Sequence, residues 1–62
     1  MRLVVAVPVN DGDVVKKGQV VLVLESMKME NELKSPRDGT ISTIKVQNRQ
    51  AVEQGQILMV IS

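Results

Sequence analysis

The chain repeats itself. Laying residues 9–25 over residues 46–62, an offset of 37, pairs Val9 with Val46, Val15 with Val52, Gly18 with Gly55, Gln19 with Gln56 and Val23 with Val60 as identities. Val20/Ile57, Val21/Leu58, Leu22/Met59 and Leu24/Ile61 are conservative pairs, and Val4/Ile41 and Val7/Ile44 carry the match upstream. The alignment has no gap, which sets it apart from a chance overlay of short valine-rich segments. A chain of 62 residues is one small domain at most. Its halves are too short to build separate cores. They are expected to share one, as a pseudo-two-fold sandwich over residues 1–62.

The halves are made of strands. Valine dominates the apolar content, and β-branched residues fit a pleated, half-buried surface. Turn signals break the apolar runs at Asn10-Asp11-Gly12-Asp13, Lys17-Gly18, Pro36-Arg37-Asp38-Gly39 and Gln54-Gly55. No segment keeps a helical apolar period long enough to nucleate a helix. The pattern predicts an all-β fold with strands over 3–9, 19–25, 29–35, 39–46 and 56–62. Shorter extended pieces are expected near 13–15 and 50–53.

Positions apolar in both halves predict the core: Val4, Val7, Val9, Val15, Val20, Leu22 and Leu24, with Ile41, Ile44, Val46, Val52, Ile57, Met59 and Ile61. Val21 and Val23, with Leu58 and Val60, fall on the opposite faces of their strands. The aromatic count is zero, so this core gains its stability from many mid-sized contacts, each fully buried Val or Leu contributing about 1.5–3 kcal/mol before entropy. Gly12, Gly18, Gly39 and Gly55 read as turn residues that reach positive φ. The repeat breaks at one of them. Arg49 stands in the place of Gly12, so that turn must differ or Asn48 must take the left-handed position.

Composition narrows the chemistry. The chain has no cysteine and no histidine, so no disulfide, no thiolate nucleophile and no imidazole ligand or base. The formal charge is +1, with only Lys16-Lys17 as an adjacent basic pair. That argues against a polyanion partner, and the lack of aromatics argues against base stacking. No apolar run approaches the roughly 20 residues a bilayer requires, and no signal-peptide pattern follows Met1-Arg2. No nucleophile–base constellation can be assigned, which makes an independent enzyme the weakest class.

One stretch is left to carry function: Glu25-Ser26-Met27-Lys28-Met29-Glu30. It falls between two predicted strands and so at the tip of a hairpin. Turns favour Gly, Asn, Asp or Ser, whereas here methionines flank a lysine. Flexible, polarizable methionines suit a surface read by another protein. From the residues alone, Lys28 is either a solvated turn charge or an amine presented for modification and tethering.

The stretch from Glu25 to Glu32 resembles the attachment motif of biotin carboxyl carrier domains, whose centre is Met-Lys-Met. The resemblance extends to Val9-Asn10-Asp11-Gly12-Asp13-Val14-Val15-Lys16-Lys17-Gly18-Gln19, to Ser35-Pro36-Arg37-Asp38-Gly39-Thr40-Ile41 and to Val52-Glu53-Gln54-Gly55-Gln56-Ile57-Leu58. It thus covers nearly the whole chain. It implies the flattened β-barrel, or barrel-sandwich hybrid, of the biotinyl and lipoyl domains. It implies a non-catalytic carrier whose Lys28 takes biotin in an amide made by a biotin protein ligase from biotinyl-adenylate. A biotin carboxylase would then load the ring, and the carrier would deliver carboxybiotin to a carboxyltransferase or decarboxylase. Met27 and Met29 inherit a role in ligase recognition and in the environment of the arm, with hairpin packing as the alternative. Glu25 and Glu30 would shape the charge shown to the ligase, with a pair of solvated carboxylates flanking a turn as the alternative, the better one for either residue alone. The compartment implied is a bacterial or archaeal cytoplasm or an organelle matrix.

Two other functions compete. Lipoyl carriers share the fold but typically present Asp-Lys-Ala at the tip. A structural β module would leave the lysine unmodified. The resemblance also exposes a departure: family members carry an opening strand whose equivalent would precede Met1. The chain is therefore expected to be an N-terminally shortened form or a fragment of a longer carboxylase subunit, with an edge open to self-association.

Overall fold

Alternation of buried and exposed valines turns the apolar runs into strands that meet across one core. The computed structural model describes residues 2–62. Its strands are β1 (Arg2–Ala6), β2 (Val14–Val15), β3 (Val20–Ser26), β4 (Met29–Lys34), β5 (Gly39–Ile44), β6 (Ala51–Val52) and β7 (Met59–Ile61). They form two sheets, one ordered β4-β3-β1-β6 and the other β2-β5-β7, with every pairing antiparallel. The fold is all-β, a two-sheet barrel-sandwich 30 × 19 × 19 Å in extent.

The repeat is a two-fold in space. Shifting by 37 residues carries β1 onto β5, β2 onto β6 and β3 onto β7, so the order β3-β1-β6 becomes β7-β5-β2. The loops obey the same operation. The Asn10 N–H donates to Asp13 Oδ2 at 2.8 Å and the Gln47 N–H to Gln50 Oε1 at 3.0 Å. The Lys16 N–H donates to Gln19 Oε1 and the Glu53 N–H to Gln56 Oε1, both at 3.1 Å. The Ile41 N–H meets Asp13 O at 2.8 Å and the Val4 N–H meets Gln50 O at 2.9 Å. Each half thus ties its loop into the other half's strand.

The core comprises Val4, Val9, Val15, Val21, Leu22, Leu24, Ile41, Val46 and Val52. Val9 and Val46 are buried although the strands stop short of them. The predicted strands over 3–9, 39–46 and 56–62 are all shortened, the last to Met59–Ile61. Two core expectations fail, at equivalent positions of the repeat. The β3–β4 register slips between Val20 and Leu22, which turns Val21 inward and leaves Val20 only half-buried. A bulge of this kind breaks strict alternation. Ile57, the equivalent of Val20, lies outside β7 and is 64% exposed.

Two turn expectations are also corrected. Arg49 itself takes the left-handed conformation, at φ 72°, in place of Asn48. Its N–H donates to Val4 O at 2.6 Å, as the Gly12 N–H donates to Ile41 O at 2.7 Å. The loop hydrogen bond therefore imposes the conformation on whichever residue stands there. Gly39 is not a positive-φ turn residue. It opens β5, where an added Cβ would lie 2.5 Å from Ser62 O and 2.9 Å from Ile61 Cγ2. It is glycine because β7 crosses too close for a side chain.

The two-fold is broken at one edge. β3 carries β4 on its outer side, while β7 has no outer strand among the described residues. Ser62 exchanges both backbone hydrogen bonds with Thr40, at 2.9 and 3.0 Å, so the neighbouring Ile61 carbonyl points away from β5. Arg37 Nη2 donates to that carbonyl at 2.9 Å.

Candidate functional site

The hairpin of β3 and β4 is fastened at its base and free at its tip. At the base, the Gly18 N–H donates to Ser35 O and the Ser35 N–H to Gln19 O, both at 2.8 Å. Asp38 Oδ1 accepts the Lys17 N–H at 2.8 Å. Buried Ser35 satisfies its hydroxyl by donating to Arg37 O at 2.6 Å. From there six strand pairs run outward, ending at Ser26 opposite Met29.

Only Met27 and Lys28 remain to turn the chain. They do so at φ 52° and 66°, both left-handed. Of the two-residue loops that match the right-handed twist of their strands, the one with positive φ at both central positions usually has the sequence Asn-Gly. Met-Lys accepts the same geometry at about 1–2 kcal/mol per residue. Strain that surrounding structure maintains is concentrated at functional positions.

The side chains at the tip face solvent. Lys28 is exposed, Met27 is 92% exposed and Met29 67%. Neither methionine is buried in the hairpin. Glu25 stands directly opposite Glu30, one pair in from Ser26 and Met29. Like charges in that arrangement weaken a hairpin, so the tip bears an acidic collar that stability does not require. The tip brings together every residue singled out in the sequence: Lys28 at the turn, the methionines beside it and the two carboxylates behind. The turn's strain is the feature that reasoning from sequence missed. Its signal, a loop of only two residues, was hidden because the pattern ended the first strand at Glu25 and left three residues for the turn.

Chemically, the tip offers a primary amine clear of the protein surface. Among the described residues no three His, Cys, Asp or Glu side chains converge on a metal position. The arrangement suits covalent attachment: the amine forms an amide, and the flexible side chain becomes a tether. A biotinyl group fits it, since its carboxyl needs an accessible amine and its ring needs open space.

The family model described as "Biotin-requiring enzyme" matches residues 1–61. The chain is 47% identical over 53 residues to a biotin carboxyl carrier protein of acetyl-CoA carboxylase from Solanum lycopersicum, covering 86% of this chain and 76% of that protein. It is 48% identical over 48 residues to the protein of the same name from Streptococcus pyogenes, covering 77% of this chain and 29% of that one. It is 46% identical over 55 residues to the alpha subunit of a mitochondrial methylcrotonoyl-CoA carboxylase from Dictyostelium discoideum, covering 89% of this chain and 8% of the subunit. The chain therefore spans under a third of the length of two of these relatives. Family match, sheet order and an exposed lysine at a hairpin tip agree: the chain belongs to the biotinyl attachment domain family.

Proposed function

We propose that this domain is a biotin carboxyl carrier and that Lys28 is its attachment point. The supporting observation is the strained two-residue turn that holds the Lys28 amine away from the sheets. In the attachment step the Lys28 nitrogen forms a bond to the acyl carbon of biotinyl-adenylate. The acyl–phosphate bond breaks, adenylate leaves and the nitrogen gives up a proton. Bound biotin supplies a ureido nitrogen able to accept and release a carboxyl group. The chain's own residues make and break no bond after that. Met27 and Met29 present an apolar surface to the biotin protein ligase, and Glu25 and Glu30 give it a charge to orient against. The sandwich keeps the tether at high local concentration near two partner sites, a biotin carboxylase and a carboxyltransferase or decarboxylase. The setting is a cytoplasm or an organelle matrix.

The open side of β7 is proposed to pair with a second copy. Residues 54–62 carry no charge and no proline to discourage strand addition, and Val60 is 41% exposed.

Biotin is favoured over lipoate because methionines, rather than Asp and Ala, flank Lys28. The test offers the domain to a biotin protein ligase and to a lipoate ligase, each with cofactor and ATP, and weighs the products intact. One biotin adduct with no lipoyl adduct is expected. Lipoylation in preference to biotinylation would overturn the assignment.

A further inference from the structure

The groove on the outer face of β1 is lined by Leu3, Val5, Asn48 and Arg49 and has a volume of about 420 Å³. Three features shape it. Leu3 alternates with fully buried Val4 and so faces outward, 38% exposed. Val5 sits in a register shift of the β1–β3 pair, between Val4 and Ala6. Bulges are a common means of re-aiming a side chain near a functional site. Arg49 holds φ 72°, where its two-fold equivalent is glycine.

The two-fold supplies the control. The equivalent bulge falls at Ser42, between Ile41 and Thr43. The equivalents of Leu3, Val5, Asn48 and Arg49 are Thr40, Ser42, Asp11 and Gly12. The half without an attachment hairpin is therefore polar and acidic where the other half is apolar and cationic. Folding accounts for part of the difference, since Asp11 Oδ1 accepts the Ile44 N–H at 2.9 Å and Gly12 holds φ 89°, but not for Leu3 and Val5 standing where the other half has Thr40 and Ser42.

The groove is within reach of the tip. Leu3 pairs with Glu25, three residues before Lys28. That is about 10 Å along the strand at ~3.3 Å per residue and ~5 Å across to β1, about 11 Å in a straight line. A lysyl side chain extended by a five-carbon acyl linker spans about 14 Å. We infer that the groove is a resting site for the biotinyl arm: Leu3 and Val5 cover the apolar linker and ring, while Asn48 and Arg49 donate N–H groups to the urea carbonyl. The inference rests on Lys28 as the acceptor. The docked arm is shielded when no partner is engaged and is released by one that competes for the ring.

The test compares the biotinylated and unmodified domain by two-dimensional amide NMR, after intact mass has established complete modification. Shifts at Leu3, Val5, Asn48 and Arg49, beyond those at 26–30, are expected. A second sample exchanges groove residues for those of the other half, Leu3→Thr with Arg49→Gly. Both replacements suit the local backbone, since the two-fold equivalents already hold it. The remote shifts should vanish, and streptavidin capture of the biotin should accelerate about twofold if docked and free arms are equally populated. Shifts confined to 26–30 in a fully modified sample would overturn the resting site. An absent mass gain would instead remove the acceptor assignment, and the resting site with it.

Discussion

Met27 and Lys28 hold a backbone conformation that neither favours, at the cost of about 1–2 kcal/mol each. In a domain of this size, where the whole margin is roughly 3–5 kcal/mol, that is a large concession. It keeps the amine at a fixed place and away from neighbours. The double variant Met27→Asn with Lys28→Gly has the sequence this turn prefers. It is expected to be more stable by about 1 kcal/mol, once the entropy of the added glycine is deducted, and to accept no biotin. A urea midpoint that falls would mean the tip is not strained. The tip's position was legible in the sequence because the apolar run Val20–Leu24 ends just before it and a more polar extended segment follows. Its strain was not, since Met and Lys carry no turn preference. Arg49 shows the same blindness: the repeat marked it as the residue in glycine's place, but only the hydrogen bond to Val4 explains why arginine takes that shape itself.

Strands, too, were readable in number and order of appearance but not in register. The repeat equated Val20 with Ile57 and assigned both to the core. A bulge near Val21 and the late start of β7 at Met59 undo that assignment. Period-two patterning cannot reveal a slip, because a segment apolar on both faces reads the same in either register. The consequence is measurable. Val21→Ala removes buried methyl groups and should cost about 2 kcal/mol, whereas Ile57→Thr should stay within about 0.5 kcal/mol. Equal losses in chemical denaturation would show that residues 56–58 pack more tightly than their exposure indicates. Gly39 belongs to this scale as well. Its role as a crossing point for Ile61 and Ser62 depends on two segments more than 20 residues apart, which no local turn signal encodes.

At the scale of the molecule, the two-fold builds a scaffold from two short halves and then departs from symmetry twice. β4 completes one sheet and carries the hairpin tip that holds Lys28; among the described residues, the other sheet has no strand outside β7. Arg37 occupies one acceptor on that edge, a partial cap in place of a strand. Sedimentation of the 62-residue chain is expected to show weak, concentration-dependent association, which Val60→Lys abolishes. A concentration-independent monomer with β7 amides uniformly protected would contradict edge pairing. The second departure is the groove beside β1, apolar and cationic only on the half that leads to Lys28.

The claim on which the rest depends is that one lysine, made singular by its turn, receives the biotin. Lysines also stand at 16, 17, 34 and 45, in loops, at the end of β4 and just past β5. The direct test is intact mass after incubation with a biotin protein ligase, biotin and ATP, run on the parent chain and on five single Lys→Ala variants. A single biotin adduct on the parent and on four variants, absent from Lys28→Ala alone, is the predicted result. An adduct that survives in Lys28→Ala would contradict the account.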